Sequence, residues 1–309
     1  MRKGGCIVMD LSSLLPTILG SATVATFWTP LAKALYEKIG LIMLPTKEAE
    51  QYMIEQIKNS VDPLPVKAVK LKEVAKLLKE WENQYDIYQI AQQALQADAA
   101  HDHAADVDGE WLSRFMDSCK HVSAEDVKII WGNLLAEECK HPNTVPTRLI
   151  SILSTLSKDL AQAFFHVCNF SLQHVDFDGT NFAITNKYTP IIYFDHQNAF
   201  LGSTVFDFST LTELNSVGLI QFSSIAGYVL KSDTGSTPYR QHFLYHSVLY
   251  EISSETDQIA VGNVLFTQCG QALCRTLALQ PSDEFADAIP TIFADYEVKN
   301  LGSNQEKTY

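Results

Sequence analysis

The chain has 309 residues, of which 46% are apolar and 19% charged. That is material for one large or two modest folded domains, and it excludes a disordered chain or a solvated coiled coil. The net charge is −13, and residues 151–309 carry 7 Lys/Arg against 16 Asp/Glu, a balance that repels phosphate backbones and sets this half against nucleic-acid binding.

In chain order, Leu11–Ala32 comes first: 22 residues without a charge, twelve of them apolar, interrupted by Pro16 and Pro30. A spanning helix needs about 20 predominantly apolar residues, so the case for one is weak. Three readings remain: a helix docked on protein, peripheral membrane contact through residues 11–32, or an export signal led by Arg2 and Lys3 and broken by Asp10. Met9 is an alternative start. Leu31–Leu44 predicts an apolar helix stopped by Pro45, and Thr46–Asn59 another, which makes residues 1–60 an apolar helical segment.

Val61-Asp62-Pro63-Leu64-Pro65 reads as an extended joint. Val66–Ala97 then predicts one long helix or two stacked ones, with Val69, Val74, Leu77, Leu78, Trp81, Tyr85, Tyr88 and Ala91 carrying the period. The lysines between 67 and 79 alternate with Glu73 and Glu80 as a wet face. Asp98–Asp108 forms a polar seam, in which His101, Asp102, His103, Asp106 and Asp108 are metal-ligand residue types without an evident scaffold.

The densest signals lie in Trp111–Leu156. Ser123 and Asp126 resemble a capping box, and Val122 with Val127 suits a hydrophobic staple. Val127, Ile130, Trp131, Leu134 and Leu135 recur at helical spacing, while Glu125, Lys128, Asn133 and Glu137 fall largely elsewhere. His141-Pro142-Asn143 ends this helix and Pro146-Thr147 opens the next. Trp131 is expected to face inward between paired helices. Glu137 or Glu138 is expected to hold Arg148 in a bidentate ion pair that sets the angle between the two helices; the alternative gives Arg148 an anionic ligand. Glu137 and His141, one turn apart, suit a two-ligand site, although His141 at the helix end serves the helix dipole equally well.

Beyond residue 170 the pattern turns to strands. Asn181–Thr185 and Pro190–Phe194 suggest a hairpin around Asn186-Lys187. Asp207–Ser216 reads as a helix closed by Gly218, followed by strands Leu219–Phe222 and Tyr228–Lys231. His242–Ile252 reads as one strand with His242, Leu244, His246, Val248 and Tyr250 on one face. Thr267 caps a final helix, Gln268–Leu279, before a proline-punctuated tail. The outline is that of a winged helix, in which Arg240 and His242 near the wing tip are the nucleic-acid contacts of a DNA-binding alternative. The fold class is thus α+β, mainly α: a helical domain at 66–170, a winged-helix-like module at 171–300 and a frayed tail at 301–309.

The six cysteines (Cys6, Cys119, Cys139, Cys168, Cys269 and Cys274) show no CxxC and no framework spacing, as expected of reduced buried thiols in a cytosolic protein. No G-x-S-x-G, P-loop or H-E-x-x-H occurs, and no nucleophile stands beside a base. The expectation is therefore a protein that is not an enzyme, with no catalytic residue, metal or cofactor.

Trp131-Gly132-Asn133-Leu134-Leu135-Ala136-Glu137-Glu138, a proline-containing loop, Arg148-Leu149 and Leu153-Leu156-Ser157 together resemble a bacterial family of the DUF2806 type. Its pattern runs W-x-x-L-L-A-x-E, then S-x-R-x-L, then L-x-x-L-S. Here Pro146-Thr147 replaces the serine-containing approach to the arginine. Leu211, Leu214 and Gly218-Leu219-Ile220, then Leu265-Phe266-Thr267, Gly270 and Leu273, resemble the L-x-x-L-x-x-x-G-L-I and L-T-x-x-G-x-x-L signatures of the same proteins. The resemblance covers residues 80–280. It implies a fold and a bacterial source, with a looser likeness to abortive-infection (Abi-alpha-like) proteins of phage defence, and it implies no activity. The expected function is that of a cytoplasmic interaction or effector module with a protein partner or a second copy. The alternatives are a winged-helix DNA regulator and a membrane-acting defence protein using residues 11–32.

Overall fold

The structure, a computed structural model, describes residues 29–43, 47–98, 101–178, 180–193 and 206–303. The expectations on Leu11–Trp28, Cys6 and residues 304–309 fall outside these. The chain gathers into two compact units that divide between Val145 and Pro146. By this division the two helices after Pro146 stand with the strands, not with the helices before them.

The first unit is helical. Helix α1 (Pro30–Ile39) starts on the Thr29 hydroxyl, which accepts from the Ala32 N–H, and stops at Gly40 in the left-handed conformation, five residues before the proline expected to end it. Helix α2 (Lys47–Asn59) follows, then α3 (Leu64–Gln96). Of the two forms expected for α3, the single long one is found; its prolines sit at the amino end, where no intrahelical N–H is lost. Helix α4 (Gly109–Cys119) is capped by Asp108, and α5 (Glu125–Lys140) packs along α3.

The second unit is α+β. Helices α6 (Thr147–Thr155) and α7 (Lys158–Asn169) lead into strands β1 (Ser171–Phe177) and β2 (Phe182–Pro190). After α8 (Phe208–Val217) come β3 (Ile220–Phe222), β4 (Tyr228–Lys231), β5 (Tyr239–Tyr245), β6 (Val248–Ser254), β7 (Gln258–Gly262) and β8 (Val264–Phe266). Helices α9 (Gln268–Thr276) and α10 (Asp283–Ile292) and strand β9 (Glu297–Ser303) complete the unit. The main sheet is antiparallel in the order β2-β1-β5-β6-β9; β3 pairs with β8, and β4 with β7.

Three local expectations are corrected. The first hairpin turns at Asp178, whose carboxylate accepts from the N–H groups of Thr180 and Asn181 at 2.8 and 2.7 Å, so Asn186-Lys187 runs inside β2. His242–Ile252 is two strands, because His246 takes φ 58° in a two-residue turn and Tyr245 pairs with Val248. That turn flips the side-chain parity. Tyr250 and Ile252 join Phe243 and Tyr245 in the core, and His242 lies on the opposite face. The tail is no tail: Phe285, Ile289 and Phe293 of α10 and its end complete that core, and β9 pairs with β6. The strands on either side of the loop read as a wing do not pair with each other: β4 pairs with β7, and β5 lies in the main sheet between β1 and β6.

Candidate functional site

The residues singled out in the central block are placed by α5. Trp131 is fully buried, its ring centroid 5.1 Å from that of Phe115, which stacks in turn on Trp111 at 4.9 Å. The Trp111 indole N–H donates to the Val145 carbonyl at 3.0 Å, whereas the buried N–H of Trp131 has no acceptor among the described residues. Lys128, expected on the polar side, is buried and ties α5 to α3. Its ammonium lies 2.6 Å from Asp86 and 2.9 Å from Glu125. Burial works to lower its pKa, but the two carboxylates reverse this and the net shift is upward.

Glu137 and Glu138, the residues expected to hold Arg148, belong to the first unit and Arg148 to the second. Glu138 is buried, and its two oxygens accept from the Asn143 N–H at 2.6 Å and the Val145 N–H at 2.8 Å, clamping the loop after α5. Burial raises its pKa and the loop N–H groups only partly pull it back. Glu137 is half-buried on the same helix. Arg148 belongs to the second unit, where it is exposed and its guanidinium lies against Gly218.

Gly218 ends α8 with φ 89°, and its carbonyl accepts from the Thr267 hydroxyl at 2.6 Å. The same hydroxyl accepts from the Gly270 N–H and so caps α9. A Cβ on Gly270 would stand 2.0 Å from the Leu219 carbonyl oxygen. The two C-terminal signatures are thus one junction, in which a turn, a cap and a close approach meet.

His242, a nucleic-acid contact only in the DNA-binding alternative, is 8% exposed. Its Nε2 lies 3.2 Å from Glu251, and Phe177 and Phe182 pack against its ring. Glu251 also takes Lys299 at 3.2 Å; burial opposes its charge, yet Lys299 and His242 hold its pKa below the ordinary range. Arg240 is exposed at the start of β5, opposite Ser253. In the polar seam, Asp108 caps α4, Asp102 accepts from the Ala104 N–H, and His101 bonds Asp98 at 2.6 Å. Among the described residues no group of three such side chains converges as metal ligands.

A pocket of about 260 Å³ opens in the second unit beside Cys168, Asn169, Gln173, Tyr188 and His246. Two of its polar side chains already have structural partners: that of Asn169 accepts from the Gln280 N–H, and that of Gln173 donates to the Thr185 carbonyl. Burial and the neighbouring Cys274 thiol hold the Cys168 pKa well above the ordinary thiol value, the state of an inert cysteine.

What the signature residues do not explain is α2 and the first half of α3. From Glu50 to Glu82 no side chain is buried. Tyr52, Val61, Leu64, Val69 and Leu77 are 64, 102, 81, 57 and 63% exposed. These include two residues of the apolar period read from the sequence. The reason lies in what covers α3. Val66, Val69, Glu73, Leu77, Glu80, Gln84, Ile87 and Ala91 form one stripe at spacings of three and four. From Asn83 onward the first unit closes over this stripe: Asn83 donates to the Lys120 carbonyl, Gln84 to that of Met116, and Gly132 of α5 meets Ile90. Before Asn83 the stripe continues without a cover from the described residues.

The family described as "Protein of unknown function (DUF2806)" matches residues 73–290, which include the α5 block, Arg148 and the Gly218–Gly270 junction. The chain belongs to the DUF2806 family. No curated protein and no solved structure matches it. Within DUF2806 the recognisable residues read here as architecture. The bare arm of α2 and α3 lies largely ahead of residue 73, where the match begins.

Proposed function

We propose that this protein is a non-enzymatic interaction module that docks protein through the α2–α3 arm. One observation carries the reading: a helical hairpin running from Glu50 to Glu82 without a buried side chain. Most helical stability in proteins comes from burying an amphipathic face, and this hairpin has half-buried Ile54, Ile57, Leu71, Val74 and Leu78 between its helices and little else. Lysine-directed cross-linking in expressing cells tests it. Lys70, Lys72, Lys76 and Lys79 are expected to join other protein molecules more often than exposed lysines of the second unit, such as Lys231. Equal yields from both sets would remove the reading.

The phage-defence setting has the signature resemblance as its support. Plating efficiency with and without the expressed chain tests it, and unchanged plating for every phage tried removes it. Among the described residues no helix is long and apolar enough to cross a membrane.

A further inference from the structure

We infer that the occupant of the arm is a second copy of this chain, the two hairpins packing about a two-fold axis into a four-helix bundle. The inference rests on the docking role proposed above and names its partner.

Three observations select a second copy. First, the uncovered stripe continues a seam that already works as a helix–helix interface: Val66, Val69 and Leu77 stand in line with Ile87 and Ala91, which pack in the core. A further helix laid there extends packing the fold already uses. Second, the hairpin is complementary to itself. The sequence of α2 carries Glu48, Glu50 and Glu55 against Lys47 and Lys58. The bare half of α3 carries Lys67, Lys70, Lys72, Lys76 and Lys79 against Glu73, Glu80 and Glu82. In the two-fold arrangement that sets α2 of each copy beside α3 of the other, the acidic helix faces the basic one. Counting Asp62 of the connecting loop, residues 47–82 hold seven lysines against seven carboxylates, so in a chain of net charge −13 two copies meet here without net repulsion.

Third, the size suffices. The bare half of α3 is about 28 Å long and α2 about 20 Å, each roughly 10–12 Å wide. That presents about 500 Å² per copy, or about 1,000 Å² in the pair, which is at the threshold of roughly 1,000 Å² for a specific interface. The glutamates in the stripe, Glu73 and Glu80, then have lysines to meet; Lys76 already stands 3.7 Å from Glu80 within one chain.

The test uses the full chain. Light scattering during size exclusion, at concentrations up to roughly 100 µM, is expected to give the mass of a dimer. Val69→Glu combined with Leu77→Glu sets four carboxylates in the bundle and is expected to weaken association roughly 100-fold or more, leaving helicity by circular dichroism unchanged. A wild type that stays monomeric overturns the inference, as does a dimer indifferent to the double substitution. Should the variant fail to fold, wild-type protein mixed from ¹⁴N and ¹⁵N stocks decides: cross-links between arm lysines of differently labelled copies support it, and their absence overturns it. Arm cross-links in cells to other proteins, with none between copies, would defeat this inference and leave the docking role standing. No arm cross-links at all would defeat both.

Discussion

His174 shows how one residue couples the sheet to pH. Its Nε2 bonds the Thr189 hydroxyl at 2.7 Å, and its ring lies edge-on to Phe243, with 7% of the residue exposed. Burial, with Lys187 adding a smaller repulsion, lowers its pKa from 6.5 to about 4. The folded state thus keeps the imidazole neutral where the unfolded chain has begun to protonate it. Stability from this group is complete above about pH 6.5 and is lost as pH falls toward 4, at about 1.4 kcal/mol per pH unit, or roughly 3 kcal/mol in all. Urea unfolding of the wild type and His174→Gln at several pH values checks this. The variant, less stable at neutral pH, is expected to lose correspondingly less on acidification. Parallel decline in both proteins would place the acid sensitivity in other groups.

At the scale of elements, the junction of α8, β3 and α9 explains why the signatures have their spacing. Gly218 supplies the left-handed turn, Thr267 bonds across to its carbonyl, and Gly270 leaves room for the Leu219 carbonyl. Gly270→Ala puts a methyl where no rotamer relieves it, so β3 or α9 must move. The expected loss is at least about 3 kcal/mol by denaturant titration, beyond the range of roughly 1–3 kcal/mol typical of an overpacked core methylene. Gly235→Ala, in a loop with open space around the Cβ, is the contrast: it bears only the penalty of its φ of 65°. Equal effects from the two substitutions would show that the close approach at Gly270 carries no weight.

Legibility followed the same physics. The caps at Thr267 and near Asp207, the stop at Gly218, the inward Trp131 and the α+β class were readable, because capping and periodicity are local. The turn at His246 was not, since a two-residue loop leaves the polar–apolar alternation looking continuous. Nor was the role of α10, where Phe285, Ile289 and Phe293 carry a helical period behind a proline-marked approach. Lys128 misled for a different reason: its charge reads as surface, while its burial depends on Asp86, 42 positions earlier in the chain. The uncovered arm was invisible for the converse reason. An apolar period announces a face to bury and says nothing of what lies against it.

Taken as a whole, the molecule divides its charge unevenly, and this weighs against the DNA-binding alternative. Residues 151–309 hold 7 Lys/Arg against 16 Asp/Glu. The two residues nominated as contacts are separated by their surroundings, with His242 held under Phe177 and Phe182 and Arg240 alone at the strand start. Non-specific DNA binding arises from neutralising several phosphates at once, and its affinity falls steeply with salt. The exposed cations of this acidic unit, Arg148, Lys231 and Arg240 among them, are outnumbered by the carboxylates around them. We therefore expect no mobility shift of duplex DNA by the full chain even at about 50 mM salt, where cationic surfaces bind most tightly. The arm's lysines are a rival source of affinity in this charge map. A shift that survives Lys72→Glu with Lys76→Glu but vanishes with Arg240→Ala would return the sheet to consideration as a nucleic-acid surface. A shift with the opposite dependence would make the arm a polyanion site and count against a second copy as its occupant.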